Sequence, residues 1–490
     1  MNNNITEPDT AHSPVMAESQ QDARRAALDA IRQKLGEKGY RESASSIPEF
    51  SVDMPHFHEG SARFVALPAN VQEVAFVLKS CNAAAITVVP QGGNTGLCGG
   101  QVPDSTGEQL VINLRRMNGI HAIDVVAGTA LVDAGVILQN LHDAVEAKGA
   151  FFPLSLGAKG ICQIGGNIAT NAGGINVVKY GNMRDLVLGL EVVLPDGRII
   201  NDLSPLRKDN TGYDLKQLFI GSEGTLGIIT KASLKLFPNP VNKATAMVGL
   251  TDLPDVLALF AMSKKMTGAA LNSFELVSDV ALAKAATIMG EQTARLETAC
   301  QWYVMMEITS ADEKADMDGK LAALLEQAFD KGLVTDGIVA QNIGQRESIW
   351  GTRESIPFGM GFQSHVYDVS VPIADIPAFI AEADAACREI FPDAEFVTFG
   401  HVGDGNIHYN LVVPGRQGEA LDEDRRKSAA VVHEIIARYH GSYAAEHGIG
   451  TAKRAEFYQY KDPVMIEMMQ AVKRVFDPVG IMNPKTIFRP

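Results

Sequence analysis

PQGGNTG, residues 90–96, begins at the proline that ends the β-rich run ITVVP, so a glycine turn lies at the carboxyl end of a predicted strand. Successive backbone N–H groups in such a turn form a concavity that binds anions, and small residues let phosphate groups come close. The stretch matches neither the dinucleotide-binding G-x-G-x-x-G motif nor the P-loop. Taken alone, it predicts either a phosphate cradle or an ordinary turn.

Two further glycine-rich stretches lie in the same half of the chain. GAKGICQIGGNIATNAGG, residues 157–174, carries six glycines among Asn167, Thr170 and Asn171, which offer hydrogen bonds to an extended ligand. GSEGTLG, residues 221–227, opens a predicted strand and by itself indicates a β-bulge or a hairpin. Together the three stretches predict a long ligand with two phosphates.

The composition indicates a large acidic globular protein. Its 490 residues correspond to two or three domains. The chain has 45 glycines, and 23 of them lie between Gly92 and Gly227. There are 43 basic and 58 acidic residues, and the net charge of -15 repels phosphate backbones. Nucleic acid is therefore not an expected partner.

Cysteine usage and the lack of long apolar runs favour a cytoplasmic protein. The five cysteines are widely spaced without a C-x-x-C pair, so neither a disulfide framework nor an iron–sulfur cluster is predicted. No run reaches the roughly 18 apolar residues of a transmembrane segment. Residues 1–20 lack the basic start and apolar core of a signal peptide, and we expect them to form a disordered tail.

The secondary-structure pattern changes at the tripeptide PNP, residues 238–240. Before it, a helix is predicted over 23–38, followed by alternating short strands and helices, which indicates an α+β or α/β domain over 21–237. After it, Ala- and Met-rich helical stretches mixed with strands indicate a second domain over 238–440. Residues 441–490 return to glycine turns and can rejoin either domain.

His401 and His408 flank the sequence GDG between two strand-like runs. A two-residue type I′ turn at Asp404-Gly405 would place the two histidines opposite each other, about 5 Å apart at Cβ. That separation suits a shared divalent metal, and Glu446 can supply a third ligand, leaving an open position as in catalytic zinc sites. On spacing alone, an incidental histidine pair in a hairpin is the favoured alternative.

A family resemblance rests on the three glycine-rich stretches and on the motifs YGNMRDLVLGLEVVLPDG, GHVGDGNIH, EHGIG and DPVGIMNP, and covers residues 61–484. The chain resembles the FAD-linked D-2-hydroxyacid dehydrogenases of the vanillyl-alcohol oxidase type, which include D-lactate and D-2-hydroxyglutarate dehydrogenases. The resemblance implies an α+β fold: a two-subdomain FAD-binding domain of the PCMH type over 21–237, and a cap or substrate domain, an antiparallel sheet with flanking helices, over 238–440. Residues 441–490 would then return to the FAD domain.

The resemblance implies FAD as the cofactor. The first glycine loop would hold the pyrophosphate, the second stretch the flavin and the third the adenine side. Covalent relatives carry a flavin-linking histidine where this chain has asparagine, so we expect noncovalent FAD. The implied FAD-binding residues are Pro90, Gln91, Gly92, Gly93, Asn94, Thr95, Gly96, Leu97, Gly157, Gly165, Gly166, Asn167, Thr170, Asn171, Gly173, Glu223, Gly227 and Ile228.

The resemblance also favours a metal at the histidine pair. It implies a divalent cation on His401, His408 and Glu446, with zinc expected and manganese as the alternative. A Lewis acid on the substrate hydroxyl and carboxylate would ease loss of the hydroxyl proton as the Cα hydride moves to flavin N5. His447 is the expected general base, because imidazole titrates near neutral pH. A purely structural histidine is the alternative.

Two residues are expected to bind the substrate. Arg353 matches the family's substrate-facing position, where a guanidinium can bind a carboxylate bidentately, and Asn410 is expected to add a hydrogen bond. Two positions depart from the 2-hydroxyglutarate dehydrogenases, with Pro357 in place of a threonine and Val366 in place of a lysine. These departures favour D-lactate or a bulkier apolar 2-hydroxyacid over a substrate with a second carboxylate.

The sequence therefore predicts an FAD-dependent, metal-assisted dehydrogenase that oxidises a D-2-hydroxyacid of the D-2-hydroxyglutarate or D-lactate class to the 2-oxoacid. Its electrons would pass to an electron-transfer flavoprotein, a quinone or a dye, and a homodimer is compatible with the pattern. The alternatives are an oxygen-using flavin oxidase, a non-redox relative of ether-lipid synthesis, and a noncatalytic flavin-binding subunit of a larger complex. The three metal ligands favour hydroxyacid chemistry over the ether-lipid alternative.

Overall fold

The computed structural model describes residues 18–54, 56–361 and 363–489. The predicted disordered tail lies outside these residues as far as residue 17, and its last three residues already belong to helix α1 (Glu18–Leu35). The helix predicted over 23–38 thus starts and ends earlier. It ends at Leu35 because Gly36 has a φ of +66°, a left-handed conformation that favours glycine and terminates helices.

Residues 18–237 form an N-terminal lobe with two main sheets. The strands are β1 (Tyr40–Arg41), β2 (Ala62–Ala66), β3 (Val88–Gln91), β4 (Gln109–Asn113), β5 (Ile120–Asp124), β6 (Thr129–Asp133), β7 (Ala150–Phe151), β8 (Val187–Val193), β9 (Ile199–Asp202), β10 (Ile228–Lys235) and β11 (Phe237–Pro238). One sheet has the order β1-β2-β4-β3, with β2, β4 and β3 parallel, and the other is antiparallel with the order β5-β6-β10-β8-β9. β7 and β11 pair separately. Strand β4 is buried at every position, as a parallel strand covered on both faces requires.

Helices connect and cover these sheets around one apolar core. After α1 they are α2 (Pro48–Ser51), α3 (Val71–Ala83), α4 (Leu138–Glu146), α5 (Ile164–Ala169), α6 (Val177–Tyr180), α7 (Met183–Leu186) and α8 (Lys216–Phe219). Asn70 caps α3 by accepting a hydrogen bond from the Glu73 backbone N–H at 3.0 Å. The side chains of Leu28 and Ile31 in α1 are buried in the same cluster as Leu78 of α3, so α1 is part of this lobe.

The cap is a single antiparallel sheet with helices on both faces. Its strands are β12 (Asn242–Leu250), β13 (Leu271–Ser278), β14 (Trp302–Ser310), β15 (Asp336–Val339), β16 (Ser364–Ser370), β17 (Glu395–His401) and β18 (Asn406–Val412). Among the described residues their order is β15-β12-β14-β13-β17-β18-β16. The helices are α9 (Leu253–Thr267), α10 (Asp279–Met289), α11 (Met317–Asp330), α12 (Ile343–Met360), α13 (Ile376–Ile390) and α14 (Gly418–Arg438). The predicted α+β class with an antiparallel cap is confirmed.

Side-chain alternation gives the two faces of the cap sheet different roles. Residues such as Leu276 and Met306 lie in the larger apolar cluster, together with residues of α9, α11, α13 and α14. Residues of the opposite face, such as Val277 and Met305, pack with residues of α10 and α12. Because side chains alternate along a strand, Glu275 shares this second face with Val277. Polar groups of the candidate site are therefore presented on this face.

The predicted hairpin register between the two histidines is wrong. His408 pairs with Phe399, not with His401, and His401 pairs with Glu275 of β13. The connection is a 3₁₀ turn over Val402–Asp404 rather than a two-residue turn, because the buried Val402 side chain belongs to the larger cap core. Gly400 allows the close return of the chain: a Cβ there would lie 2.6 Å from the Asn406 carbonyl oxygen.

The C-terminal segment lies on the N-terminal lobe. After α15 (Arg454–Tyr460) and α16 (Pro463–Phe476), the chain runs beside β3, where Val88 exchanges hydrogen bonds with Ile481 and Asn483. The Asn483 side chain donates to the carbonyl oxygens of Gly100 and Glu223, at 2.8 Å each. The segment therefore joins the first and third glycine-rich stretches. In the described part of the chain, no helix has the length and apolarity to cross a membrane.

Asp477 organises this attachment, and its removal is expected to destabilise the protein. Its carboxylate is 3% exposed and accepts hydrogen bonds from the backbone of residues 480–482 and from Lys473 Nζ. Asp477→Ala leaves a partly buried ammonium and three backbone donors without this acceptor, and we expect a loss of roughly 3–5 kcal/mol of unfolding free energy. Glu467→Ala is the control, because Glu467 is an exposed residue of α16, the helix that carries Lys473. Equal urea-unfolding midpoints for both variants would contradict this role.

Candidate active site

A cleft of about 790 Å³, partly open to solvent, lies between the N-terminal lobe and the C-terminal segment. All three glycine-rich stretches contribute to its walls, as the sequence predicted for one extended ligand. The predicted site residues that line it are Pro90, Gln91, Gly92, Gly96, Gly165, Gly166, Thr170, Glu223, Gly227, Ile228 and His447.

The first glycine loop presents a run of free backbone donors. Within the described residues, no hydrogen-bond acceptor is found for the backbone N–H groups from Gly92 to Cys98. Asn94 helps to shape the loop because it adopts a φ of +59° and its side chain donates to the Val52 carbonyl oxygen at 2.6 Å. Free amides in a tight turn are the donors that a pyrophosphate requires.

Glycines shape the cleft in two ways, by allowing close packing of its walls and by leaving space inside it. A Cβ at Gly93 would lie 2.3 Å from the Ile161 carbonyl oxygen, and one at Gly165 would lie 2.6 Å from the Ala134 Cβ. Both glycines therefore hold the first and second stretches against their neighbours. A Cβ at Gly166 would meet no atom within 4 Å, although this residue lines the cleft. Gly166 thus keeps the wall of the cleft open, which fits a cofactor with a planar ring.

The other predicted FAD residues do not line the cleft. Asn167 donates to Cys162 Sγ at 3.6 Å, and the Asn171 side chain accepts from the Arg184 backbone N–H at 2.9 Å. A Cβ at Gly173 would lie 3.0 Å from Glu446 Oε1, so this glycine adjoins the predicted metal ligand. The remaining residues of this group are Gly93, Asn94, Thr95, Leu97 and Gly157.

Several cleft residues were not predicted. Gln163 precedes α5, and its buried Oε1 has no hydrogen-bond partner among the described residues, so it is available to a ligand. Its position within the second glycine-rich stretch was a usable signal. The others are Cys98, Gly100, Gln101, Leu114, Ala134, Ala169, Ser222, Gly224 and Ile229, most of which carry no polar side chain that marks a site.

The three predicted metal ligands come together although their hairpin register was wrong. The ligand atoms of His401, His408 and Glu446 all lie within 4.8 Å of one another. His401 Nε2 is 3.7 Å from Glu446 Oε1, and His408 Nε2 is 4.0 Å from Glu446 Oε2. Both Nε2 atoms thus face the same carboxylate. Two imidazoles and one carboxylate fit a divalent cation with an open coordination position.

Glu275 lies behind this cluster and joins it to Arg353. Its Oε1 is 2.6 Å from His401 Nδ1, and its Oε2 accepts from Arg353 Nε at 2.8 Å. Burial disfavours the charged carboxylate, but His401 and Arg353 outweigh it and lower the pKa of Glu275 to about 2. A carboxylate on the far nitrogen of a histidine is the usual support for a metal-binding imidazole.

Asp368 supports the other side of the cluster from strand β16. Its Oδ2 accepts from the backbone N–H groups of Glu446 and His447 at 2.9 and 3.0 Å, and its Oδ1 accepts from Asn406 Nδ2 at 3.0 Å. Burial opposes ionisation, but the nearby His447, Lys453 and His408 hold the pKa of the Asp368 carboxyl well below its usual range. The burial of Glu446 raises its own pKa to about 7.

His447 connects the cleft with the metal-ligand cluster. It lines the cleft, and its ring stacks on that of His408 with centroids 6.2 Å apart and an angle of 15°. Its Nδ1 lies 3.5 Å from Asp368 Oδ2. Burial lowers the pKa of His447, which favours the neutral, proton-accepting imidazole.

Arg353 and Asn410 lie on the same sheet face and are both buried. Arg353 is 7% exposed, its guanidinium carbon lies 4.5 Å from the centroid of the Phe399 ring, and Glu275 holds only its Nε. Its two terminal nitrogens thus make no hydrogen bond to a described residue and can bind a carboxylate. The Asn410 amide nitrogen already donates to the carbonyl oxygens of Val397 and His408, so only its buried Oδ1 remains available.

Comparison with known proteins shows the family of this chain. The family described as FAD binding domain matches residues 62–202, and the family described as FAD linked oxidases, C-terminal domain, matches residues 239–487. The mitochondrial D-2-hydroxyglutarate dehydrogenase of Arabidopsis thaliana is 37% identical over 93% of this chain and 80% of its own length. The chain belongs to the FAD-linked D-2-hydroxyacid dehydrogenases. The family predicted from the motifs is thereby confirmed, and with it FAD-linked oxidoreductase activity.

One further relative and one solved structure extend the comparison. A Schizosaccharomyces pombe protein provisionally named a mitochondrial D-lactate dehydrogenase is 38% identical over 90% of this chain and 84% of its own length. The structure of p-cresol methylhydroxylase aligns with a TM-score of 0.73 at 18% identity, over 96% of this chain and 97% of that one. At that identity the likeness shows the shared fold alone.

A side chain at Gly166 is expected to weaken FAD binding. Gly166→Leu directs an isobutyl group into the cleft, and overpacking of roughly 1–3 kcal/mol corresponds to about ten- to hundredfold weaker binding. Gly160→Leu is the control, because a Cβ there also meets no atom within 4 Å and the residue lies outside the cleft. The measurement is flavin released by acid precipitation per mole of folded protein. Equal release from both variants would contradict the assignment, and flavin retained by precipitated wild type would contradict noncovalent binding.

Proposed function

We propose that this FAD-linked dehydrogenase oxidises a D-2-hydroxyacid to the 2-oxoacid with the help of a divalent metal. The supporting observation is the position of His447, which lines the cofactor cleft and stacks on His408 of the metal-ligand cluster. One imidazole thus faces both the space for FAD and the three predicted ligands. A substrate held between the cleft and the cluster would place its hydroxyl within reach of His447.

Each residue has a specific role in this proposal. His401, His408 and Glu446 would hold the cation, and the terminal nitrogens of Arg353 would bind the substrate carboxylate. His447 would accept the hydroxyl proton through a ring nitrogen, while Asp368 holds its backbone and faces its Nδ1. When bound, FAD supplies a two-electron acceptor for the Cα hydride, and the cation supplies a Lewis acid that makes the hydroxyl more acidic.

The sheet around Asn410 favours a substrate with an uncharged side chain. On the two neighbouring strands Asn410 pairs with Val366 and Val397, both apolar. Pro357 lies within helix α12, one turn beyond Arg353. Among these residues only Arg353 is cationic, so they offer one carboxylate-binding group. We therefore propose D-lactate or a larger apolar D-2-hydroxyacid over D-2-hydroxyglutarate, whose dehydrogenases are among the relatives.

The proposal includes noncovalent FAD, zinc or manganese at the cluster, and an electron carrier such as an electron-transfer flavoprotein or a quinone as acceptor. Asn94 supports noncovalent FAD because its amide is engaged with the Val52 carbonyl. An oxygen-using oxidase remains the alternative within the same chemistry. A noncatalytic flavin subunit is the alternative outside it, and no 2-hydroxyacid would then bleach the flavin.

Replacement of His447 tests the proton acceptor. We expect His447→Ala to reduce the rate of anaerobic flavin reduction by the acid roughly 10²- to 10⁴-fold, the usual contribution of general base catalysis. The FAD content is expected to stay at the wild-type level, because only one wall residue changes. His433→Ala is the control, since this buried histidine lies against Tyr367 and outside the cleft lining. A wild-type reduction rate in His447→Ala would end the proposed role.

Substrate choice is tested with a panel of D- and L-2-hydroxyacids. We expect anaerobic bleaching by D-lactate or apolar D-acids at lower concentration than by D-2-hydroxyglutarate, and none by L-acids. Val366→Lys should shift the ratio of kcat/KM towards D-2-hydroxyglutarate by at least about tenfold, because a new buried charge pair contributes about 1.4 kcal/mol or more. Val397→Met, an uncharged change on the other neighbouring strand, is the control. A preference of the wild type for D-2-hydroxyglutarate would contradict the proposed class.

A further inference from the structure

Glu275 links the metal-ligand cluster to the carboxylate-binding arginine. It lies on β13, a central strand of the cap sheet, and is 1% exposed. Neither its spacing nor a motif marked it in the sequence. Each of its two carboxylate oxygens has a different partner, His401 Nδ1 at 2.6 Å and Arg353 Nε at 2.8 Å.

We propose that Glu275 is a positioning residue that orients the metal-facing nitrogen of His401 and the terminal nitrogens of Arg353 at the same time. This inference rests on the proposed function, since it assigns the support of two residues named there. A carboxylate only accepts hydrogen bonds, so its contact with Nδ1 requires the proton of neutral His401 on that nitrogen. Nε2, the nitrogen left to bind a metal, then faces Glu446 at 3.7 Å.

The same carboxylate limits the orientation of Arg353. Its bond to Nε and the Phe399 ring, 4.5 Å from the guanidinium carbon, hold the guanidinium by its inner edge and one face. The outer edge keeps both terminal nitrogens for a bidentate carboxylate. A shift of Glu275 would therefore disturb metal binding and substrate binding together.

An amide cannot replace this carboxylate. Glutamine has one acceptor oxygen and one donor NH₂ group, whereas both His401 Nδ1–H and Arg353 Nε–H are donors. In Glu275→Gln one of these donors must face the NH₂ group. If the NH₂ group faces His401, the ring must carry its proton on Nε2, which removes the lone pair that would bind the metal. If it faces Arg353, the guanidinium loses the contact that holds its Nε.

Glu307 provides a matched control on the neighbouring strand β14. It is 8% exposed and accepts hydrogen bonds from Thr245 Oγ1 at 2.8 Å and from Trp350 Nε1 at 3.2 Å. Like Glu275 it is a buried carboxylate of the cap sheet that holds a side chain of α12. It contacts none of the three predicted metal ligands.

The test uses FAD-loaded protein from which a chelator has removed the metal. Zn²⁺ is titrated into this protein, and isothermal titration calorimetry measures its binding. We expect one ion per chain for the wild type and for Glu307→Gln. Glu275→Gln should bind Zn²⁺ about 10- to 100-fold more weakly, the usual effect of losing a histidine's supporting carboxylate, and should keep its FAD. Should Glu275→Gln fail to fold, Glu275→Asp takes its place, because the carboxylate is drawn back by one methylene and cannot reach both partners.

The outcomes separate this inference from the proposed function. His408→Ala removes a proposed ligand and marks the metal site itself. If His408→Ala loses Zn²⁺ and Glu275→Gln keeps wild-type affinity, the positioning role is overturned while the metal site stands. Equal losses in Glu275→Gln and Glu307→Gln also overturn it, because the effect would then be general to buried carboxylates. Wild-type affinity in His408→Ala would overturn the proposed metal site, and the inference with it.

Discussion

Two carboxylates, the buried Asp368 and the half-buried Glu223, hold the segment of residues 446–450 between the cap and the N-terminal lobe, and the rest of the site depends on these contacts. From the cap, Asp368 accepts the backbone N–H groups of Glu446 and His447. From the lobe, Glu223 accepts those of residues 449 and 450, at 2.8 and 2.7 Å. A buried carboxylate is costly unless hydrogen bonds satisfy it, so each one favours a single backbone path. That path places Glu446 at the histidine pair and His447 in the wall of the cleft.

The charges around this segment explain why a cation fits there. Glu275, Asp368 and Glu446 bring three carboxylates to one face of the cap sheet, while Arg353 is the single permanent cation among the described residues that is hydrogen-bonded to any of them. Burial, together with the nearby Asp368, raises the pKa of Glu446 to about 7 against the opposing effect of His401, so the charged form of Glu446 is disfavoured. A divalent cation between Glu446 and the two histidines would compensate that charge. The same face carries the arginine for an anionic substrate, so the positive and negative groups are arranged around a small space next to the cleft.

The sequence predicted the local features of this site, and it did not predict the contacts across strands. Residue types and family motifs predicted the glycine loop after β3. They also predicted that Glu446 lies next to a histidine pair distant from it in the chain. The pairing of His401 with Glu275 does not, because a 3₁₀ turn shifts the hairpin and alternation alone does not reveal a strand's neighbour. Asn167 and Asn171 carry polar groups among glycines as a ligand site would, yet their side chains hold the loop itself. A polar residue beside a cleft can serve either purpose, and only the fold distinguishes them.

We propose that one imidazole, His447, lies where an FAD site and a metal site meet. It is tested most directly by anaerobic reduction of the wild-type flavin with a D-2-hydroxyacid before chelation, after removal of the metal, and after addition of Zn²⁺. We expect fast bleaching before chelation, no bleaching of the still-bound FAD after the metal is removed, and recovery of bleaching when Zn²⁺ is added. Bleaching at an unchanged rate in protein shown by elemental analysis to be metal-free would contradict it.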